Sequence, residues 1–170
     1  HRLGLPCDSY GFCTSASHLD AQFGYERMAN ALVAALSGVD ILSGIGSTQN
    51  VMIAGLEIAV VDDELAGLIK RIMAGVEVND TTLAYDVMAE VIRGDGAYVG
   101  ALHTARQMRK GALWVPRISA RSGEAPAVVE AARARVREIL AGHDAELLSD
   151  DARRHLDEIM ARARRELAAA

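Results

Sequence analysis

A short apolar run, a loop of small residues, a helix and a second apolar run follow one another near the start of the sequence. The first run, Leu3 to Cys7, is predicted to be a strand, and the second, Val39 to Ser43, a buried strand. The loop Asp8 to Ser17 leads into the helix, and Gly38 suits the left-handed residue that follows a helix. This order is typical of a β–loop–α–β unit with parallel strands. Enzymes built from such units carry their chemistry on the loops at the carboxyl ends of the strands.

Beyond this unit, helical patterns of apolar residues alternate with capping and stop signals. Helix starts are predicted at Asp62, Asn79, Leu102, Pro126 and Ser149, and helix ends at Gly75, Gly94, Lys110 and Gly142. Residues 50–61 are ambiguous, because Ala54 and Gly55 interrupt their β-branched residues, and residues 98–100 are predicted to be a short strand or an extended segment. The last two helices are predicted to form a helical hairpin.

Length and composition restrict the class of protein. The 170 residues, 51% hydrophobic and 24% charged, are enough for one domain with a core. The net charge of −5, without a basic stripe, argues against a nucleic-acid partner. No membrane partner is expected, because the longest apolar run, Val51 to Val61, is too short to cross a bilayer and no signal peptide is visible. Cys7 and Cys13 are expected to be buried thiols of a reduced, cytoplasmic protein.

Several polar residues close to helix starts are candidates for a site. Ser17 and Asp20 have the spacing of a capping box, so Asp20 can be a partner of the helix cap, a carboxylate that attracts a cationic ligand, or both. Gln22 and Glu26 lie one helical turn apart and either line a site or make a solvated contact. His103 either lines the same site or makes a structural hydrogen bond.

Other features have mainly structural interpretations. Gly44 and Gly46 give only a weak phosphate-loop signal, so a nucleotide site is not predicted. His18 and Asp20 are too sparse for a metal site. Gly24 is expected to let its helix approach a neighbour closely. Trp114 is expected to anchor the tail of the chain, with stacking on a cationic group as the alternative.

The residues 20–26, DAQFGYE, which follow the GLP of residues 4–6 and a small-residue loop, resemble the trimethylamine methyltransferase family. The later runs YVGALHT (98–104) and WVP (114–116), followed by Arg121, stand in the order that this family shows near its C-terminus. The resemblance implies an α/β fold, the C-terminal part of a (β/α)8 TIM barrel with a helical-hairpin tail. Residues 1–121 would then hold the last βα units and residues 122–170 the tail.

The resemblance also implies a function, namely transfer of a methyl group from a methylated amine or betaine to the cobalt of a separate corrinoid protein. No tightly bound cofactor and no metal site in the chain itself are then expected. Archaeal trimethylamine enzymes carry pyrrolysine at a point that corresponds to Ser15–Ser17, where this sequence reads Ser-Ala-Ser. A member without pyrrolysine, acting on a quaternary amine such as a betaine, is therefore expected.

Combined with the parallel unit, the resemblance predicts one substrate-binding cavity at the loop ends of the strands, while the catalytic residues stay unknown. The residues expected to converge there are Ser17, Asp20, Gln22, Gly46 and His103. The alternative is a truncated, non-catalytic homologue that acts as an oligomeric binding or regulatory module. Because the sequence starts at His1 without Met, we expect a fragment or a processed chain, and we expect it to form a homo-oligomer through uncovered strand edges.

Overall fold

The computed structural model describes residues 3–94, 96–119, 127–143 and 148–168, which form a mixed α/β, mostly helical structure. Two compact units cover residues 1–136 and 137–170. The strands are β1 (Asp8–Ser9), β2 (Ile41–Leu42), β3 (Ser47–Thr48) and β4 (Ile53–Ala54). The helices are α1 (Ala21–Leu36), α2 (Leu56–Met73), α3 (Asp80–Leu83), α4 (Tyr85–Arg93), α5 (Leu102–Arg109), α6 (Val128–Ala141) and α7 (Asp150–Ala168). The predicted domain boundary at residues 121 and 122 and the predicted helix start at Pro126 lie outside the described residues.

The β–loop–α–β unit is confirmed, because β1 and β2 pair in parallel and α1 connects them. The first strand falls on Asp8–Ser9 and not on the predicted residues 3–7. Pro6 has no N–H to donate, and regular bonding begins only at Cys7, whose carbonyl accepts from the backbone N–H of Asp40 at 2.9 Å. The second strand is less buried than predicted, since Ile41 is exposed and Leu42 is half-buried.

Helix α1 begins one turn later than the capping-box pattern suggested. Asp20, and not Ser17, is the N-cap, and its Oδ1 accepts the backbone N–H of Phe23 at 3.0 Å. The helix ends before Gly38, whose φ of +81° confirms the predicted left-handed position. The expectation for Gly24 is wrong, because a Cβ there would meet no described atom within 4 Å. The close approach to α1 is made instead by Gly11, where a Cβ would lie 3.1 Å from Cα of Ala31.

The stretch after residue 50, which is ambiguous in the sequence, contains strand β4 and the start of helix α2. Strands β3 and β4 form an antiparallel hairpin, and α2 then starts at Leu56 with Gly55 as its N-cap. The predicted start at Asp62 is therefore wrong. Ile58 is buried and Val61 packs on the same core cluster, so burial at helical spacing outweighs the weak helix propensity of these β-branched residues.

The segment after α2 follows its capping signals. Asn79 and Thr82 form a reciprocal capping box at the start of α3, as predicted for Asn79. Ala84 is left-handed with φ of +49° and separates α3 from α4. Residues 98–100 form a 3₁₀ turn and not the predicted extended segment, since the Ala101 N–H returns to the Tyr98 carbonyl at 3.1 Å.

The core of the first unit consists of two apolar clusters between α1, α2 and the loops. One is formed by Phe12, Ala31, Ala35 and Ile69, and the other by Ala16, Phe23 and Ile58. Burial of these side chains supplies the main free energy that holds α1 against α2.

A segment without regular structure, residues 112–119, crosses α2. We call it the strap. The Arg117 N–H donates to both carboxylate oxygens of the buried Glu64 at 3.0 Å, and the Trp114 ring lies on Gly67. Trp114 is therefore an anchor for this segment, in line with its structural interpretation.

In the second unit, α7 starts at the predicted place. Ser149 Oγ accepts the backbone N–H of Ala152 at 3.3 Å. Among the described residues, no helix has the length and apolar character needed to cross a membrane.

Candidate functional site

The loops that follow β1 and β2 meet at the carboxyl ends of the parallel strands. The Ala16 carbonyl accepts from Thr48 Oγ1 at 2.6 Å and from the Gln49 N–H at 3.2 Å. The Asn50 N–H donates to the Thr14 carbonyl at 2.9 Å. These bonds join the first loop to the β3–β4 hairpin, which follows the second loop, at the edge where parallel α/β proteins place their sites.

Glu26 is the most highly coordinated side chain on this surface. It projects from the second turn of α1, and Thr14 Oγ1 and the Ser15 N–H donate to its Oε2 at 2.7 and 2.9 Å. Gln22 Nε2 donates to its Oε1 at 2.8 Å, and Ser15 Oγ lies 3.3–3.4 Å from both oxygens. The half-buried carboxylate thus holds the first loop against the helix.

These hydrogen bonds fix the charge of Glu26. The bond from Thr14, followed by those from Gln22 and the Ser15 backbone, lowers the pKa of the Glu26 carboxyl from 4.5 to about 2. Glu26 therefore carries a negative charge at any physiological pH.

Beneath this surface lies a fully buried ion pair between the two long helices. Arg27 on α1 donates through Nε to Asp62 Oδ1 at 2.6 Å, and its Nη2 donates to Asp62 Oδ2. The pair is bidentate, and both side chains are completely buried. The Arg27 guanidinium also lies 4.9 Å from the ring centre of Phe23 and 5.9 Å from that of Phe12, one ring from each core cluster.

The ion pair also shapes the second loop. Arg27 Nη1 donates to the Ser47 carbonyl at 2.5 Å and Nη2 to the Gly44 carbonyl at 3.2 Å, while the Gly46 N–H donates to Asp62 Oδ2 at 2.7 Å. Burial raises the pKa of the Asp62 carboxyl, and the hydrogen bonds from Arg27 and Gly46 oppose that rise.

The backbone geometry of this loop explains why glycine occupies positions 44 and 46. Both have positive φ, +99° at Gly44 and +84° at Gly46, and a Cβ at Gly44 would lie 2.7 Å from the Phe12 carbonyl oxygen. Because the Gly46 N–H is bonded to Asp62, the loop is shaped by the ion pair and not by a phosphate group.

Three of the five predicted site residues lie around the start of α1. Gln22 is part of the Glu26 cluster and also donates to Ser15 Oγ at 3.3 Å. Asp20 is exposed and caps the helix, which is the structural one of its two open roles. Ser17 is exposed, and its hydroxyl bonds to His18 Nδ1 at 2.8 Å. Gly46, the fourth, lies in the adjoining loop, where its N–H donates to Asp62 and not to a member of the Glu26 cluster.

His103, the fifth residue, has its described contacts elsewhere. Its Nε2 donates to the Thr81 carbonyl at 2.8 Å, and Gln107 lies one turn further along α5. It lines an open cavity of about 670 Å³ that Arg71, Asn79 and Lys110 also border. Its convergence with the other four residues stays a prediction.

The two cysteines are free thiols. Cys7 is exposed and Cys13 half-buried, so the expectation of buried thiols is wrong for Cys7. In the described ranges, no group of three or more His, Cys, Asp or Glu side chains is placed to hold a metal ion.

The sequence interpretation missed Arg27 and Asp62 and left Glu26 open. A usable signal was present, since Arg27 occupies the apolar line Phe23, Arg27, Ala31, Ala35, and Asp62 lies one turn after Ile58. Opposite charges on the buried faces of two helices predict a buried pair.

Comparison with known proteins gives one consistent result. A family model described as trimethylamine methyltransferase (MTTB) matches residues 1–168. A glycine betaine methyltransferase of Desulfitobacterium hafniense (strain Y51) is 34% identical over 120 residues, which cover 70% of this chain and 25% of that protein. Trimethylamine methyltransferase MttB of Methanosarcina barkeri (strain Fusaro) is 32% identical over 105 residues, 62% of this chain and 21% of that protein. The chain thus spans about a quarter of the length of these relatives.

Proposed function

Because the chain belongs to the trimethylamine methyltransferase family, we propose that it is part of an enzyme that moves a methyl group from a methylated amine or betaine to the cobalt of a separate corrinoid protein. The observation that carries this proposal is the family match over residues 1–168, together with relatives named for glycine betaine and for trimethylamine. The β1–α1–β2 unit agrees with the last part of a TIM barrel, which we propose as the fold of the whole protein.

The chemistry of the transfer makes modest demands on side chains. The bond between nitrogen and the methyl carbon breaks, the nitrogen keeps the electron pair, and the methyl carbon bonds to reduced cobalt. A cationic ammonium leaves as a neutral amine, so no side chain has to protonate the leaving group. The protein's contribution is to hold the ammonium group in line with the acceptor and to exclude water. A surface with a fixed negative charge and neutral polar neighbours fits that task.

A quaternary amine is the proposed substrate class. The relative that covers 70% of this chain is named for glycine betaine. At the point that corresponds to pyrrolysine in the archaeal enzymes, Ser15 binds Glu26 and Ala16 is buried, so both residues have structural partners. We propose that the substrate is positioned by ordinary side chains.

The test is methyl transfer to a reduced corrinoid protein by the complete polypeptide that contains these 170 residues. The donors are glycine betaine, other betaines, and tri-, di- and monomethylamine. We expect glycine betaine or a related quaternary amine to give the fastest formation of methylated corrinoid in the visible spectrum. Trimethylamine as the preferred donor would contradict the proposed substrate class. No transfer from any donor would contradict the enzyme and favour the non-catalytic binding module.

A further inference from the structure

The carboxylate of Glu26 has little capacity left for new hydrogen bonds. A carboxylate offers about four lone-pair sites. Thr14 Oγ1 and the Ser15 N–H occupy Oε2, and Gln22 Nε2 occupies Oε1, with Ser15 Oγ close to both oxygens. The neighbours that surround Glu26 therefore satisfy its acceptors without neutralising its charge, because all of them are uncharged.

A saturated carboxylate selects one kind of cation. A primary or secondary ammonium needs acceptors for its N–H groups, and it loses water without replacement if none is free. A quaternary ammonium has no N–H group, is weakly hydrated, and is attracted by charge alone. The half-buried Glu26 offers such a charge at the carboxyl edge of the parallel strands.

We propose that Glu26 is the anionic group that binds the quaternary ammonium end of the substrate, with Thr14, Ser15 and Gln22 as positioning residues that keep its acceptors filled. This assignment rests on the proposed function and names the residue behind its preference for fully methylated nitrogen. The low pKa of the Glu26 carboxyl agrees with it, since the charge persists across the working range of pH.

The other carboxylates of this region, Asp62 and Asp20, are less suited to binding a quaternary ammonium. Asp62 is completely buried and paired with Arg27, so its charge is cancelled. Asp20 is exposed at the start of α1, and one of its oxygens caps the helix. Screening by water weakens the attraction of such an exposed charge for a cation.

The experiment compares glycine betaine with its uncharged-carbon analogue, 3,3-dimethylbutanoate, in which carbon replaces the quaternary nitrogen. Dissociation constants of both are measured by calorimetry on the complete polypeptide, along with KM and kcat for methyl transfer from glycine betaine. For Glu26→Gln we expect KM to rise about tenfold or more while kcat changes less, because the attraction is strongest for the cationic substrate and weakens as the nitrogen loses its charge in the transition state. The preference for betaine over the carbon analogue should fall by a similar factor.

Two further variants separate charge from loop structure. Thr14→Val frees one acceptor of Glu26 and keeps its charge, so betaine should still bind more tightly than its carbon analogue, while selection against amines that carry N–H groups should weaken. Gln22→Lys places an ammonium one turn before Glu26, neutralises it on a helix that tolerates lysine, and should abolish the preference even if Glu26→Gln folds poorly. If the Gln22→Lys and Glu26→Gln variants keep the preference for betaine while the wild type transfers methyl groups, the role of Glu26 is contradicted and the proposed function is not. If the wild-type protein neither binds nor demethylates glycine betaine, both the proposed function and the role of Glu26 are contradicted.

Discussion

Arg27 connects more parts of the site than any other residue discussed above. Its guanidinium is bonded to Asp62 on α2 and to the carbonyls of Ser47 and Gly44 in the second loop. It also faces one aromatic ring from each core cluster. All of its contacts replace water that it lost on burial, so its free energy depends on every partner being present.

Replacing Asp62 alone should therefore be strongly destabilising. Asp62→Asn leaves Arg27 buried with an uncompensated charge, and we expect the free energy of unfolding to fall by about 3–5 kcal/mol in urea titrations. The double variant Arg27→Met, Asp62→Leu removes both charges and should lose less than the sum of the two single changes. A loss below about 1 kcal/mol for Asp62→Asn would show that the pair contributes little.

The low pKa of the Glu26 carboxyl predicts how the stability of the folded protein depends on pH. Its pKa is about 2 in the folded protein against 4.5 for a free carboxyl, so the folded state binds the proton less tightly than the unfolded state. The resulting stabilisation is complete above about pH 4.5 and is lost as the pH falls towards 2. Melting temperatures measured across this window should fall less steeply for Glu26→Gln than for the wild type. Thr14→Val, which removes the largest cause of the shift, should give an intermediate slope, and identical slopes for all three would contradict this account.

At the scale of elements, two helical glycines have opposite environments. A Cβ at Gly24 in α1 would meet no described atom within 4 Å, whereas a Cβ at Gly67 in α2 would overlap the ring of Trp114. Gly67 is thus the point where the strap lies directly on α2.

The two glycine-to-alanine changes form a matched pair. Gly24→Ala should stabilise the protein by about 0.5–1 kcal/mol, because alanine loses less backbone entropy in a helix. Gly67→Ala gains the same helix propensity but must displace the strap, and overpacking of this kind costs about 1–3 kcal/mol. Trp114 is the single tryptophan of the chain, so its fluorescence emission should shift in Gly67→Ala and stay unchanged in Gly24→Ala. An unchanged emission in both variants would mean that the strap does not depend on Gly67.

The elements that the sequence predicted well are those set by local signals. Gly38, Gly75, Asn79 and Gly94 each act through residues within one turn, and each terminates or begins a helix as expected. The start of α2 was missed because it depends on burial of Ile58 against Phe23, which lies 35 positions away in the sequence. The pairing of Arg27 with Asp62 spans the same separation, and its signal appears only when the buried faces of the two helices are compared.

Contacts between residues distant in the sequence also limited the prediction of the site. The loop ends of the parallel strands could be predicted, since topology alone places them at one edge. The sequence could not predict which carboxylate would be held there, because the choice between Asp20 and Glu26 depends on the path of residues 14–16. That path is fixed by Thr48 of β3 and by Gln49 and Asn50 of the turn between β3 and β4.

At the scale of the whole molecule, exposed apolar side chains are numerous in the described residues. Five of them lie close together in the sequence, around the β3–β4 hairpin and the start of α2, namely Ile45, Val51, Met52, Ile53 and Leu56. Met52 is 81% exposed. Exposed apolar side chains concentrated in one segment are typical of contacts with other protein surfaces.

We therefore expect the 170-residue chain to self-associate through this hairpin. Sedimentation velocity should show a shift towards dimers or larger species as the concentration rises through the micromolar range. Met52→Lys should weaken that association about tenfold or more, because burial of an apolar side chain of this size contributes roughly 1.5–3 kcal/mol and a charge in its place would be desolvated. Val78→Lys, an equally drastic change at an exposed residue of the loop between α2 and α3, serves as the control and should leave the association constant unchanged. A stable monomer at tens of micromolar would contradict self-association, and equal weakening by both variants would contradict the assignment of the hairpin as the contact surface.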